Sequence, residues 1–119
     1  MVSDDGTYDH TEAIAPVTIS STATEVDTLV EETVNGAVYY FVSKNASEGE
    51  YAVNEVFVAV GTGGIGVASG PWVSTKDTNQ LTFSTAWKDD VENTASILAS
   101  STSGGSTTVS AYRINLLAK

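Results

Sequence analysis

The chain has 119 residues and a formal charge of -10, from 15 acidic and 5 basic side chains. So few bases leave too little positive charge to displace counterions from nucleic acid or to hold an anionic membrane surface. The absence of cysteine excludes disulfides, thiolate metal sites and cysteine nucleophiles.

This length fits one domain with a single core. Hydrophobic residues make up 41% and charged residues only 17%, so Ser and Thr, 30 in all, must supply most of the polar surface. With 15 valines beside them, the composition favours strands over helices. No apolar run approaches the roughly 18 residues of a membrane helix.

Met1 to Pro16 carries Asp4, Asp5, Asp9, Glu12 and the one histidine, His10, with few large apolar residues. It has no apolar secretory core, so synthesis and release in the cytosol are expected. Pro16 disfavours helix at Ala15. Residues 1–16 are therefore expected to form an extended acidic arm, and residues 17–119 the folded domain. Such an arm is either a frayed terminus or a segment that lies on a neighbouring subunit.

Val17 and Ile19 alternate with Thr18 and Ser20, which predicts a strand. Glu25 to Val34 fits either strand or loop, and Asn35-Gly36 marks a turn. Ala37 to Val60 reads as two long strands joined by a polar turn over Lys44–Gly49. Both parities of the first are apolar: Val38, Tyr40 and Val42 on one, Ala37, Tyr39 and Phe41 on the other. That suits a central strand covered twice, or one with a face in a subunit contact. In the second, Tyr51 and Val53 differ in parity from Val56, Val58 and Val60, and a bulge near Asn54-Glu55 is expected to absorb the change.

Gly61, Gly63 and Gly66 match the spacing of a dinucleotide fingerprint, but no helix follows, so a hairpin loop is expected. Ile65 to Ser74 is predicted as an edge or bulged strand because of Gly70-Pro71. Gln80 to Lys88 alternates cleanly, with Leu81, Phe83 and Trp87 on one face. Asp89, Asp90 and Glu92 lack a calcium-loop pattern and read as a solvated turn. Glu92 to Ser100 and Thr107 to Leu117 are predicted as the last strands. In the latter, apolar positions switch from Val109 and Ala111 to Tyr112, Ile114 and Leu116, which suggests another bulge. Arg113 is expected to pair with a surface carboxylate.

About seven or eight strands, with turn signals at roughly eight-to-twelve-residue spacing, predict an all-β antiparallel sandwich, with a jelly roll as a variant.

Ser21-Thr22-Ala23-Thr24 with Val26-Asp27, Ala37 with Tyr40, Glu50-Tyr51, Glu55-Val56, Leu81 with Phe83, Leu98-Ala99, and Ser106-Thr107-Thr108-Val109 with Arg113 occur in a characteristic order between Val17 and Leu116. In that order the chain resembles a β-sandwich module of structural proteins of tailed bacteriophages, especially marine ones, found on heads and tail fibres. The resemblance implies a virion location and no catalytic residues. A copy standing alone behind an acidic arm is expected to be a head decoration protein bound outside the capsid. A tail or fibre accessory subunit is the alternative.

The expected partners are the major capsid protein or other virion subunits, with a homo-oligomer as a further option. Asp4, Asp5, Tyr8, Asp9, Tyr39 and Trp72 are the candidate contacts, since aromatics favour interface centres and the arm suits a basic groove. Tyr40 and Trp87 are expected in the core. A carbohydrate-binding module, stacking sugars on Trp72 and tyrosines, is the second reading. No catalytic, cofactor-binding or metal-ligating set is expected: one histidine in the arm and no interpretable carboxylate pair fit acid–base chemistry poorly.

Overall fold

The computed structural model describes residues 11–31, 34–76, 78–88, 91–103 and 106–116. Eight strands form in chain order: β1 (Thr11–Ile19), β2 (Thr24–Val30), β3 (Gly36–Asn45), β4 (Glu50–Gly61), β5 (Gly64–Ser74), β6 (Leu81–Lys88), β7 (Val91–Ser101) and β8 (Thr107–Leu116). They make an antiparallel β-sandwich of two sheets, β1-β8-β3-β4-β5 and β2-β7-β6. The nesting of β1-β8-β3 over β2-β7 has the wrapped order of a jelly roll. Here, however, β3, β4 and β5 stay together as a meander, so the sheets divide five and three.

The turns follow local chemistry. After β3, Asn45 caps a single 3-10 turn, Ala46–Glu48, by accepting the Glu48 N–H at 3.3 Å. Gly49 then takes φ 65°, a left-handed conformation that suits glycine. The glycine-rich stretch is a tight hairpin in which Gly61 pairs with Gly64.

Several expectations change. The first strand begins at Thr11, so residues 11–16 belong to the sheet rather than to an arm. Pro16 is tolerated because β1 is an edge strand and its register on β8 shifts between Ile14 and Val17. Residues 1–10, with Asp4, Asp5, Tyr8 and Asp9, lie outside the described residues, as do Asp89 and Asp90. The ambiguous segment is a strand from Thr24 to Val30. β4 keeps one phase throughout, with Ala52, Asn54, Val56, Val58 and Val60 buried. The bulge lies instead on β5, where Asn54 faces Trp72 but Val56 faces Ser69, with Gly70-Pro71 between. β8 likewise keeps phase against β3, and Tyr112 and Leu116 point outward.

The core is apolar and continuous. Ile19, Leu29, Tyr39, Phe41, Val56, Ile97 and Val109 are essentially inaccessible. An aromatic stack crosses it: Tyr39 to Phe41 at 5.0 Å, then Phe41 to Phe83 at 4.7 Å, joining the two sheets. Ala99, beside Phe83 in register, makes room for the ring.

Arg113 is the largest departure from expectation, because it is buried, at 7% exposure. Its Nη1 donates to Asp27 Oδ2 at 2.7 Å and its Nη2 to Glu12 Oε2 at 2.7 Å. Its Nε donates to Asn115 Oδ1 at 2.6 Å. The Tyr39 hydroxyl donates to the same Asp27 oxygen at 2.6 Å. A bulge in β2 between Glu25 and Asp27 makes this possible, since it lets both Val26 and Asp27 turn inward. Burial opposes the guanidinium charge, but attraction to Asp27 outweighs it and holds Arg113 above its ordinary range.

Two outcomes follow from this cluster. Arg113→Ala is expected to cost about 3–5 kcal/mol in urea unfolding, because it strands Asp27 in the interior. Glu12→Gln is expected to cost no more than about 1 kcal/mol, because that carboxylate keeps substantial contact with water.

A further outcome concerns pH. Burial, and then the negative charge of Asp27, push the Tyr39 phenol far above its usual value. In the unfolded chain it ionises near pH ~10. Its contribution is therefore complete below about pH 10 and declines as pH rises beyond that. Tyr39→Phe loses one hydrogen bond, about 1–3 kcal/mol at neutral pH, and its stability falls less steeply above about pH 10. Denaturant midpoints measured across neutral and alkaline pH check this.

Candidate interaction face

The outward parity of the five-stranded sheet is where the surplus apolar residues go. On β3 these are Val38, Tyr40 and Val42; on β4, Tyr51, Val53 and Phe57; on β8, Tyr112, Ile114 and Leu116. Strand register lines them up in cross-strand rows. Ser110, Val42, Val53 and Val73 form one row, and Ile114, Val38, Phe57 and Ala68 another. Between them runs Tyr112, Tyr40 and Glu55. Tyr112 is 64% exposed, Val73 65% and Val42 51%, values far above those of any core residue.

Strand spacing and residue rise give each outward position roughly 30 Å² of sheet, so the apolar positions together cover on the order of 400 Å². That equals the largest apolar patch of a typical monomer, which is often functional. It is also about half of what one partner buries in a standard interface.

Charge makes the face more distinctive. Among the described residues of these five strands, Lys44 and Glu55 are the only charged side chains at outward positions. They cancel, in a chain with 15 acids. Depletion of charge at the centre, rather than bulk hydrophobicity, is what distinguishes interface cores. The three-stranded sheet presents a different outer surface. There Ser96 donates to Glu25 Oε1 at 2.6 Å and Lys88 Nζ lies 3.4 Å from Glu25 Oε2. The Ser96 hydrogen bond, with help from Lys88, holds the Glu25 carboxyl below its ordinary value.

The apolar face is corrugated. One depression of about 300 Å³ is lined by Tyr40, Val53, Glu55, Pro71, Trp72 and Val73. A second, of about 290 Å³, adjoins it across Val53 and Val73 and takes in Val42 and Tyr51. A hydrogen bond to Glu55, reinforced by its charge, raises the Tyr40 phenol above its usual value.

The edges of the sheet are blunted. The chain's 2 prolines, Pro16 and Pro71, fall on the two edge strands β1 and β5, each at a register shift. Bulges and prolines are the devices that block strand addition. Contact through free strand edges is thus disfavoured, and the outer face is left as the apolar surface on offer.

Of the six candidate contacts, Trp72 is 44% exposed and borders the first depression. Tyr39 has no accessible surface and belongs to the core. Its neighbour Tyr40, expected inside, is 39% exposed, and Trp87 is half-buried against the core as expected. Val42 lies on the second apolar parity of β3, which already allowed a subunit contact. Tyr51, Phe57, Tyr112 and Leu116 were not anticipated; their signal was the change of apolar parity in β4 and β8, which reads equally as a bulge or as a second apolar face.

The chain matches no family model, no curated protein and no solved structure.

Trp72→Phe is expected to remove the readily quenched part of the tryptophan fluorescence. The blue-shifted emission of Trp87 should remain, and acrylamide titration of both proteins measures it.

Proposed function

We propose that this protein is a virion structural subunit of a tailed phage, a head decoration protein attached to the outside of the capsid through the outer face of its five-stranded sheet. The observation that carries the reading is the charge-depleted apolar face on a strongly acidic molecule. The sequence resemblance described above supplies the virion context. The chemistry is adhesive: Val42, Val53, Tyr112 and their neighbours leave water against a coat-protein surface, while the acidic remainder keeps free copies apart. A modest affinity per contact suffices, because a capsid lattice offers many equivalent sites. A tail or fibre accessory subunit would use the same face on a different lattice.

A second reading has its own observation. Tyr40 and Trp72, with Glu55, border one shallow depression, and aromatic faces beside a carboxylate are the usual means of holding a sugar ring. Loss of glycan-array binding in Trp72→Ala, with capsid binding intact, would select it.

Val42→Lys combined with Tyr112→Lys tests the main proposal. Both positions point to water, so each substitution is expected to change stability by no more than about 0.5 kcal/mol. Co-sedimentation with purified capsids is expected to fall at least about a hundredfold, the effect of losing central interface contacts. Undiminished binding, or particle density maps in which the three-stranded sheet meets the shell, would overturn it.

A further inference from the structure

We infer that the polar depression at the loop end of the sandwich is a binding site for a divalent cation of the calcium type, with Glu50 as its principal ligand. Glu50 opens β4 directly after the Asn45-capped turn and is only 4% exposed. Its Oε1 accepts a hydrogen bond from the Ser103 hydroxyl. Its Oε2 is shielded from solvent and has no hydrogen-bond partner. The contrast with Arg113 is direct, since that buried charge meets two carboxylates. Among the described residues, no lysine, arginine or histidine lies within ion-pair distance of Glu50. A buried, unpaired carboxylate oxygen is costly, and a bound cation is one of the few arrangements that removes the cost.

The surroundings suit such an ion. Glu50 lines a depression of about 360 Å³ together with Glu48, Lys76, Thr78, Gln80, Thr102 and Ser103. Apart from Lys76, these side chains offer carboxylate, hydroxyl and amide oxygens, the hard donors that calcium and magnesium prefer. Apart from Glu50 at the start of β4 and Glu48 in the 3-10 turn, the donors come from irregular loops, and these two are the only carboxylates among them. Calcium accepts varied geometry and fills vacant positions with water, whereas magnesium demands a near-octahedral set. The open side of the depression admits that water.

The consequence is mechanical. Thr75 already ties the β5–β6 connection to the β3–β4 turn, accepting the Tyr51 N–H at 3.0 Å and donating to the Gly49 carbonyl at 3.2 Å. Thr102 binds the backbone of Gln80 from the β7–β8 connection, with its N–H at 3.0 Å from the carbonyl. An ion on Glu50 would clamp three connections, two of which, β5–β6 and β7–β8, join the two sheets. Lys76 sets the competing possibility, because its ammonium borders the same depression.

Thermal unfolding and isothermal titration of the full chain, with calcium, with magnesium, and with sodium at matched ionic strength, test the inference. Calcium at about 5 mM is expected to raise Tm by at least about 3 °C, with magnesium and sodium giving less than half of that. One ion should bind per chain. Glu50→Gln is expected to weaken calcium binding at least tenfold, and Gln80→Leu, a milder change, severalfold. Lys76→Met is expected to bind calcium as tightly as the parent or more so. Circular dichroism confirms that each variant is folded, and Gln80→Leu carries the test should Glu50→Gln fail to fold. No calcium uptake by the parent chain overturns the inference. So does a Tm shift that magnesium reproduces and that survives Glu50→Gln, which is the mark of general charge screening. Loss of stability in Lys76→Met without ion binding would show the ammonium to be Glu50's partner instead.

Discussion

The contact on which the sandwich depends is the ion pair between Arg113 of β8 and Asp27 of β2, one strand from each sheet. Two buried charges are tolerated only when their geometry is good and their remaining donors and acceptors are used. Both conditions hold. Asp27 Oδ2 receives Arg113 and Tyr39, and the other arms of the guanidinium reach Glu12 and Asn115. The cluster therefore joins β1, β2, β3 and β8. A slip of one residue in β8 would turn Arg113 to solvent and leave Asp27 stranded, so the cluster fixes register as well as contributing stability.

The requirement spreads outward. β2 must bulge at Val26 to present Asp27 inward while keeping Leu29 in the core. β1 must reach past Pro16 to bring Glu12 opposite Arg113, which it does through its own bulge. The interior is thus apolar at its centre, around the Tyr39–Phe41–Phe83 stack, and polar towards both ends. One end holds the arginine cluster. The other holds Asn45, Thr107 and Ser101, linked at 3.3 to 3.4 Å, with Glu50 and Ser103 beside them.

The same packing explains the apolar outer face. A five-stranded sheet covered by three strands has more apolar positions than the core can take. β3 is apolar at both parities, and its inner set is consumed by the stack. The outer set has no cover of its own. Prolines and bulges at both edges keep that sheet from growing sideways, so the outer face is the apolar surface it leaves open. Adhesion by surface rather than by pocket is the common thread between the fold and the proposed role.

Strand content, most turns and the sandwich class were set by the residues themselves: β-branched runs, the polar joint ending at Gly49, the glycine-rich hairpin, and the clean alternation of Leu81 to Trp87 act locally, whereas Gly36 of the expected Asn-Gly turn became the first residue of β3. Exposure of Trp72 could be anticipated for a related reason, since Pro71 confines its strand to an edge. Which parity faces inward was decided only by the tertiary structure. Tyr39 and Tyr40 are chemically identical neighbours, and what separates them is that one reaches Asp27 across the sandwich while the other meets Glu55 on the adjacent strand. Arg113 became an interior residue for the same reason: its carboxylate partners lie 86 and 101 positions away in the chain, beyond the reach of any local pattern.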